Sequence, residues 1–321
     1  MTRTPTPSAS PPVSVVIPAY NREGSIVDAI ESVLAQSFGD FELVVVDDGS
    51  RDGTLAAARS VADPRLRVIA APRNGGAATA RNLGATEARG AWIAFQDSDD
   101  EWLPRKLEKQ MARLLAPPGP AAGVPYVGAY CGLLTLGWLD ERPGERLRLR
   151  YRPDPAIAAA DGAILAELLV GNLISTQTLV VRRGLFHALG GFDPDTTPIE
   201  DWDFVIRLAG AGPIAFVDEP LVIQRFSPNS ITRDRDRALA STERVVEKNA
   251  GVFARHPRAY AEQCYRIAGG HRRAGDLRAA RAWLARARRA DPGTPKLWAM
   301  SLGVGGLSLL PGRRRTARPG E

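Results

Sequence analysis

The first hundred residues of this chain alternate short apolar runs with segments of helical periodicity. The runs lie at residues 13–19, 41–46, 66–70 and 91–95. Each is largely apolar and too short for a typical helix, a pattern typical of strands buried on both faces of a sheet. The segments between the runs place apolar residues at helical spacing. This alternation predicts an α/β fold with a doubly wound, mostly parallel sheet.

Polar clusters follow three of these predicted strands. Tyr20 and Asn21 follow the first strand, Asp47 and Asp48 the second, and Asp97 the fourth. Because the carboxyl ends of strands in an open α/β sheet line the ligand-binding crevice, we expect these side chains to share one site. The sequence therefore predicts a binding crevice along a single sheet edge.

The third cluster contains three carboxylates within four positions: Asp97, Asp99 and Asp100. Hard cations such as Mg²⁺ bind oxygen ligands, usually one or two carboxylates together with substrate phosphates. The cluster therefore indicates a divalent cation site for a phosphorylated substrate. An acidic turn that caps the next helix is the alternative interpretation.

The regular alternation ends at a Pro/Gly/Ala-rich break, residues 117–123. Beyond it a smaller mixed region is predicted, with strands at 124–137, 147–151, 178–181 and 220–226 and a helix at 163–170. A further helix opening on acids is predicted at 200–209. From Arg237 the chain becomes helical and rich in Ala and Arg, and residues 275–292 resemble one tetratricopeptide-like helix pair. Near the start of the chain, Ser25 followed three residues later by Asp28 predicts a capping box at the N-terminus of the first helix.

Composition excludes several classes of protein. Two cysteines and three histidines form neither a disulfide framework nor a zinc-ligand pattern, which suits a cytoplasmic protein. Residues 1–12 are rich in Pro, Ser and Thr, and we expect them to be disordered and not to form a signal peptide. The net charge is +6, with arginine concentrated after residue 230 and at 313–315. No basic stripe is interleaved with aromatics, so nucleic acid is not expected as a partner.

Residues 297–312 contain no charged side chain. This segment is shorter than the roughly 20 residues needed to span a bilayer. It could form a helix in the membrane interface, anchored by Trp298 and the following arginines, which would give peripheral membrane contact. A helix in the protein core is the alternative.

Six segments follow one another in an order that carries a family resemblance. They are Val-Ser-Val-Val-Ile-Pro-Ala-Tyr-Asn-Arg (13–22), Val-Val-Asp-Asp-Gly-Ser-Arg-Asp-Gly-Thr (45–54), Asn-Gly-Gly-Ala-Ala-Thr-Ala-Arg-Asn (74–82), Phe-Gln-Asp-Ser-Asp-Asp-Glu-Trp (95–102), Gly-Gly-Phe-Asp (190–193) and Ile-Glu-Asp-Trp-Asp-Phe (199–204). Together they resemble the family 2 glycosyltransferases of GT-A fold. The resemblance implies a transferase domain at 13–232, with nucleotide-sugar binding at 13–116 and the acceptor and catalytic part at 124–232. A helical extension at 236–321 follows.

The resemblance implies a nucleotide-diphosphate sugar as donor, with UDP as the expected nucleotide. Asp48 would accept the N3–H of the base, Arg81 would contact ribose or diphosphate, and Asp99 would be the central metal ligand for Mn²⁺ or Mg²⁺. The full set of implied donor-binding residues is Pro18, Tyr20, Glu23, Asp48, Arg81, Asp97, Ser98 and Arg225, and the implied metal ligands are Asp99, Asp100 and Asp97.

The resemblance also implies a general base where an acidic pair opens a helix. We assign Asp201 to deprotonate the hydroxyl of an acceptor, which could be a sugar, a lipid-linked glycan or a small molecule. Glu200 is the reserve candidate. A base opposite the leaving group gives one in-line displacement that inverts the anomeric centre. Acids are also favoured at helix N-termini by the helix dipole alone.

Two points remain open in this interpretation. Family members often carry Arg-x-His after the strand that follows the catalytic helix. Here Arg225 matches the arginine, but Ser227 stands two residues later in place of the histidine, so Ser230 or Thr232 could complete the diphosphate contacts. The alternative function is an inactive nucleotide-sugar-binding module that acts as an adaptor through its helical tail. A dinucleotide-binding dehydrogenase is excluded, because no G-x-G-x-x-G follows the first strand.

Overall fold

The computed structural model describes residues 11–116, 123–137, 148–153, 162–225 and 235–307. The chain consists of two compact units, Met1–Ser241 and Thr242–Glu321. Ser227, Ser230 and Thr232 lie outside the described residues, as do the arginines at 313–315 and residues 1–10 of the N-terminal segment.

The first unit alternates strands and helices, as its sequence predicts, and adds 3-10 turns at Thr176–Thr178 and Pro194–Thr196. Its elements are β1 (Val13–Ala19), α1 (Ile26–Leu34), β2 (Phe41–Asp47), α2 (Thr54–Ser60), β3 (Leu66–Ala70), α3 (Ala77–Glu87), β4 (Trp92–Phe95), β5 (Glu101–Trp102), α4 (Lys106–Leu115), β6 (Gly128–Gly137), β7 (Arg148–Arg152), α5 (Leu165–Val170), β8 (Val180–Arg182), α6 (Arg183–Ala188), α7 (Glu200–Ala211) and β9 (Ile214–Arg225).

The described strands form one sheet in the order β3-β2-β1-β4-β8-β6-β9-β5, with β7 paired to β6. The first four strands in this order are parallel to one another. All seven residues of β1 and of β2 are buried, because helices cover both faces. The predicted α/β fold with its doubly wound, mostly parallel sheet is therefore confirmed.

The second half of the sheet mixes strand directions. Strand β8 runs antiparallel between β4 and β6, while β6 and β9 are parallel. The predicted hairpin at the end of β6 is present as the antiparallel pair β6–β7. These strands extend the main sheet and do not form a small sheet of their own. The last strand is longer than predicted and begins at Ile214, and the short helix α6 was not predicted.

The predicted capping box at the start of α1 is wrong. The side chain of Ser25 makes no capping hydrogen bond to that helix. Its hydroxyl donates instead to the backbone carbonyl of Ser98, at 2.8 Å. This bond ties the start of α1 to the aspartate-rich loop after β4, a long-range contact that local sequence spacing does not reveal.

The second unit is helical. Its described part comprises the end of α8 (Arg235–Lys248), α9 (Ala250–Phe253), α10 (Pro257–Ala274), α11 (Leu277–Ala290) and α12 (Pro295–Leu307). Between α10 and α11 the chain turns at Gly275, whose φ of 87° is left-handed, and Asp276 caps α11 by accepting from Ala279 N–H at 2.9 Å. Within the described part of the chain, no helix has both the length and the apolarity needed to cross a membrane.

Candidate active site

A cavity of about 1030 Å³ opens in the first unit at the carboxyl ends of β1, β2 and β4. Its volume suits a ligand larger than a single metabolite ring. It is lined by eleven of the twelve sequence-predicted site residues, namely Pro18, Tyr20, Asp48, Arg81, Asp97, Ser98, Asp99, Asp100, Glu200, Asp201 and Arg225. The predicted crevice therefore exists as one continuous space. It contains two acidic clusters, namely the aspartates at the strand ends and the Glu200–Asp201 pair at the start of α7.

Glu23 is the expected site residue that the structure does not bring into this cavity. Its carboxylate accepts a hydrogen bond from Gly53 N–H at 3.1 Å, and its own N–H donates to Asp52 at 3.2 Å. Both bonds brace the loop that precedes α2. The donor-binding role that the family resemblance implied for Glu23 is therefore not supported by this geometry.

The turn after β1 is shaped by Asn21, whose φ of 52° is left-handed, a conformation that Asn tolerates well. Its side-chain oxygen accepts from Arg51 N–H at 2.9 Å. The turn leaves Tyr20 36% exposed at the cavity. It also directs Arg22 toward Asp99, with 3.3 Å between guanidinium and carboxylate.

The two aspartates after β2 have separate partners. Asp47 accepts from Ser50 N–H at 3.3 Å and so caps the turn after β2. Asp48 accepts from Gly75 N–H at 2.9 Å and from Gly76 N–H at 2.7 Å. Burial raises the pKa of Asp48 although these bonds favour its charged form. Asp48 is thus the residue that holds the glycine loop against the cavity.

The carboxylates after β4 differ in their partners. Asp97 pairs with Arg81 at 2.6 Å. Asp100 is buried and accepts from Arg225 N–H at 3.1 Å and from Gln177 Nε2 at 2.9 Å. Burial, followed by the charge of Asp97, raises the pKa of both Asp99 and Asp100. Asp99 is the most open of the three, with 30% of its side chain exposed.

Arg81 connects the two acidic clusters. Its buried guanidinium donates to Asp97 at 2.6 Å and to Glu200 at 2.8 Å. Burial opposes its charge, yet the neighbouring carboxylates raise the pKa of Arg81 above its ordinary value. We expected this side chain to contact ribose or diphosphate. The structure instead places it as a bridge from Asp97 to Glu200, and Glu200 is 119 positions away from Arg81 in the chain.

The acidic pair opens α7, and its members differ in environment. Glu200 is buried and, among the described residues, its Oε2 atom has no hydrogen-bond partner. Asp201 accepts from Trp202 N–H at 2.7 Å and is also hydrogen-bonded by Asn172. Burial, with the charge of Glu200 adding to it, raises the pKa of Asp201 to about 7. A carboxyl with this pKa exchanges its proton near neutral pH, as a general base requires.

The described residues fit a divalent cation only in part. No cluster of three His, Cys, Asp or Glu side chains in the described ranges forms a closed metal site. Asp97 and Asp100 are already held by cationic and N–H donors, whereas Asp99 has only the longer Arg22 contact. Three mutually repelling carboxylates nevertheless favour a cation, and Mg²⁺ or Mn²⁺ commonly takes one or two protein carboxylates plus phosphates. Asp99 is thus the best-placed ligand.

Several cavity residues were missed as site residues by sequence reasoning. Arg22 lies in the first matching segment, yet nothing local indicated its pairing with Asp99. Gln177 holds Asp100 from a position 77 residues away. Arg152 and Arg237 add positive charge to the lining, and Ser175 and Thr176 also line the cavity.

Solved structures share the fold of this chain. TarS of S. aureus (residues 1–349, in complex with UDP-GlcNAc) is similar with a TM-score of 0.68 and 18% identity, over 91% of this chain and 88% of that one. The mannosyltransferase PcManGT of Pyrobaculum calidifontis, in complex with GDP-Man and Mn²⁺, gives 0.56 and 21%, over 95% and 83%. At these identities the likeness establishes the fold, which is of the GT-A type.

Sequence relatives identify the family. The family model described as glycosyl transferase family 2 matches residues 14–164. EpsE of Bacillus subtilis, named as a glycosyltransferase, is 41% identical over 64% of this chain and 69% of its own length. WfgD of Escherichia coli, named UDP-Glc:alpha-D-GlcNAc-diphosphoundecaprenol beta-1,3-glucosyltransferase, is 42% identical over 32% of this chain and 41% of its own. The chain belongs to the family 2 glycosyltransferases, which confirms the resemblance carried by its motifs.

Proposed function

We propose that this glycosyltransferase moves a single sugar from a nucleotide-diphosphate sugar to a hydroxyl acceptor with inversion of the anomeric carbon. The observation that carries the proposal is that one cavity receives both the strand-end aspartates and the Glu200–Asp201 pair. We assign donor binding to residues 13–116 and the acceptor and catalytic part to 124–232.

The donor that we propose is a UDP-sugar. Asp48 keeps unused lone pairs beside its two glycine N–H bonds, so it can still accept the N3–H of a uracil-type base. Tyr20 offers a half-exposed ring at the same edge. TarS, described in complex with UDP-GlcNAc, supports this choice, whereas the GDP-Man complex of PcManGT shows that the fold also accepts guanine nucleotides.

We propose that Asp99 binds Mn²⁺ or Mg²⁺ together with the donor diphosphate, a role supported by the Mn²⁺ complex of PcManGT. When bound, such a cation offsets the charge that develops on the departing diphosphate. Arg22 adds a second positive charge beside Asp99. Asp97 and Asp100, held by Arg81 and by Gln177, keep the loop after β4 in place.

The proposed chemistry uses Asp201 as the base. Its carboxylate takes the proton of the acceptor hydroxyl while the acceptor oxygen bonds to the anomeric carbon. The bond from that carbon to the diphosphate breaks in the same step, and the nucleoside diphosphate leaves with the electron pair. Asn172 is hydrogen-bonded to Asp201 and fixes the orientation of its carboxyl group.

We propose a role in polysaccharide or other glycoconjugate synthesis. WfgD, whose name gives UDP-Glc as donor and a diphosphoundecaprenol-linked sugar as acceptor, supports this setting. The acceptor side of the cavity is lined by small polar groups, including those of Ser175 and Thr176. Hydroxyl and amide groups of this kind suit a polyhydroxylated acceptor.

Asp201→Asn tests the proposal. Because the amide cannot take a proton, we expect transfer to fall by about 10²–10⁴-fold. The affinity for UDP, measured by calorimetry with Mn²⁺, should stay within about twofold, since Asp201 does not hold the nucleotide. Glu200→Gln is the matched control and should retain more activity. Transfer that survives Asp201→Asn but is lost in Glu200→Gln would assign the base to Glu200.

A further inference from the structure

The two units of this chain carry opposite charge. Residues 242–321 contain seventeen Lys and Arg against six Asp and Glu, whereas residues 1–241 contain 25 against 30. The positive net charge of the protein therefore comes entirely from its second unit. A basic surface of this kind favours an anionic partner.

The described part of α12 exposes apolar side chains within this basic unit. Leu297 is 1% exposed and therefore packs inward, whereas Trp298 is 50% exposed and Leu302 is 78% exposed. Residues four positions apart lie on the same side of a helix, so Trp298 and Leu302 share one outer face. No charged residue occurs between Lys296 and Arg313. Exposed apolar patches of this kind mark interaction sites.

Arg288 borders the exposed face, and the next residue of α11 is also basic. The guanidinium of Arg288 lies 4.8 Å from the centre of the Trp298 ring. Arg289, in the last turn of α11, is exposed. A half-exposed Trp beside arginines is the arrangement found where helices meet the headgroup region of a bilayer, with the ring at the interface and the cations near lipid phosphates.

We propose that α12 and the last turn of α11 form a docking surface for an anionic phospholipid bilayer. This surface is defined by Trp298, Leu302, Arg288 and Arg289. Its positive charge selects the anionic lipid, and its apolar side chains enter the boundary between headgroups and acyl chains. The membrane contact is peripheral, and it is independent of the donor and acceptor chemistry proposed above.

Vesicle co-sedimentation of the full chain tests this surface. We expect binding to phosphatidylcholine vesicles that contain phosphatidylglycerol, and weaker binding as salt is raised, because screening weakens the charge attraction. Phosphatidylcholine alone should retain little protein. The double variant Trp298→Ala/Leu302→Ser should weaken binding by about tenfold, since it removes the apolar area that would become buried in the membrane. Leu115→Ser, which changes a 68% exposed leucine of the first unit, is the matched control and should bind normally.

A second pair of variants isolates the charge. Arg288→Gln/Arg289→Gln should reduce binding to anionic vesicles by about tenfold and flatten its salt dependence. Arg59→Gln, at an exposed position on α2, should change neither. Thermal melting confirms that the variants fold.

Two results would overturn the proposal. One is that vesicles with and without phosphatidylglycerol retain equal amounts of the protein, or that neither kind of vesicle retains it. The other is a dimer in analytical ultracentrifugation that the Trp298→Ala/Leu302→Ser variant dissociates without any change in vesicle binding, since the apolar face would then be covered by a second copy of the chain.

Discussion

The two acidic clusters of the cavity are held in different ways. At the strand ends, both oxygens of Asp48 accept backbone N–H groups, and both oxygens of Asp100 accept donors. At the start of α7, Asp201 has a pKa raised to about 7 by burial. In the described part of the chain, one oxygen of Glu200 lacks a partner altogether. Asp48 and Asp100 thus have a donor on each carboxylate oxygen, whereas Glu200, within that part of the chain, does not.

This difference agrees with the proposed division of the site into carboxylates that bind the donor and a carboxylate that acts as the base. Carboxylates that accept several N–H donors are fixed in position, which suits the recognition of a nucleotide. A carboxyl group whose pKa lies near neutral pH can gain and lose a proton during turnover, which suits a base. Arg81 couples the two clusters through its contacts with Asp97 and Glu200. The predictions below test whether the two functions can be separated by substitution.

After Asp201→Asn, which removes the proposed base, the largest effect is expected from Asp99→Asn. This change removes the most open carboxylate of the strand-end cluster, so the increase in UDP affinity caused by Mn²⁺ should fall by about 100-fold. Calorimetry with and without Mn²⁺ measures it. Asp40→Asn removes an exposed carboxylate outside the cavity and serves as the control. An unchanged response to Mn²⁺ in Asp99→Asn would remove Asp99 from the metal role.

The parallel half of the fold was predictable from the sequence. The strands β1 to β4 are short, largely apolar runs, so their positions and shared edge follow from the sequence pattern. Strand β8 was placed less well, because it joins the sheet antiparallel between β4 and β6, and such pairing depends on distant residues. The part of the cavity proposed to bind the donor was therefore predictable, and the part proposed to bind the acceptor was less so.

The identities of most cavity residues were also predictable, but their partners were not. The bond from Arg81 to Glu200 spans 119 positions, and the bond from Asp100 to Gln177 spans 77. Motifs name residues that gather at a sheet edge, whereas hydrogen bonds between distant loops depend on the packing of the whole unit. For this reason Glu23 was expected at the donor and is found bracing Gly53.

Substitution of Arg81 should have the next largest effect. Arg81→Lys keeps the charge but cannot hold two carboxylates in one plane, so transfer should fall by about tenfold with its pH dependence unchanged. The positive charge of Arg81 lowers the pKa of Asp201. In Arg81→Gln the carboxylate of Asp201 should therefore form only at higher pH. The increase in transfer rate near pH 7 should accordingly shift to higher pH. A pH–rate profile with the same midpoint in both variants would show that the bridge does not tune the base.

The raised pKa of Asp201 also predicts a change in stability. The fold favours the protonated form, so the folded protein binds more protons than the unfolded chain between about pH 4 and pH 7, and stability falls as the pH rises through this range. Asp201→Asn should remove this loss of stability at high pH, because an amide carries no charge in the buried site. Its free energy of unfolding at pH 8 should exceed that of the native protein by about 1–2 kcal/mol, with little difference near pH 4. Urea unfolding at the two pH values measures it, and an equal difference at both would contradict the assigned pKa.

The smallest effect is expected for Glu23→Gln. Its carboxylate accepts from Gly53 N–H outside the cavity, and the glutamine oxygen can accept the same bond. Affinity for UDP should therefore change by less than about twofold, and stability by no more than about 0.5 kcal/mol. Asp48→Asn is the comparison, because it removes one acceptor of the glycine N–H groups at the nucleotide edge and should weaken UDP binding by about tenfold. Equal losses in the two variants would mean that Glu23 turns toward the donor and belongs with Asp48 at the nucleotide.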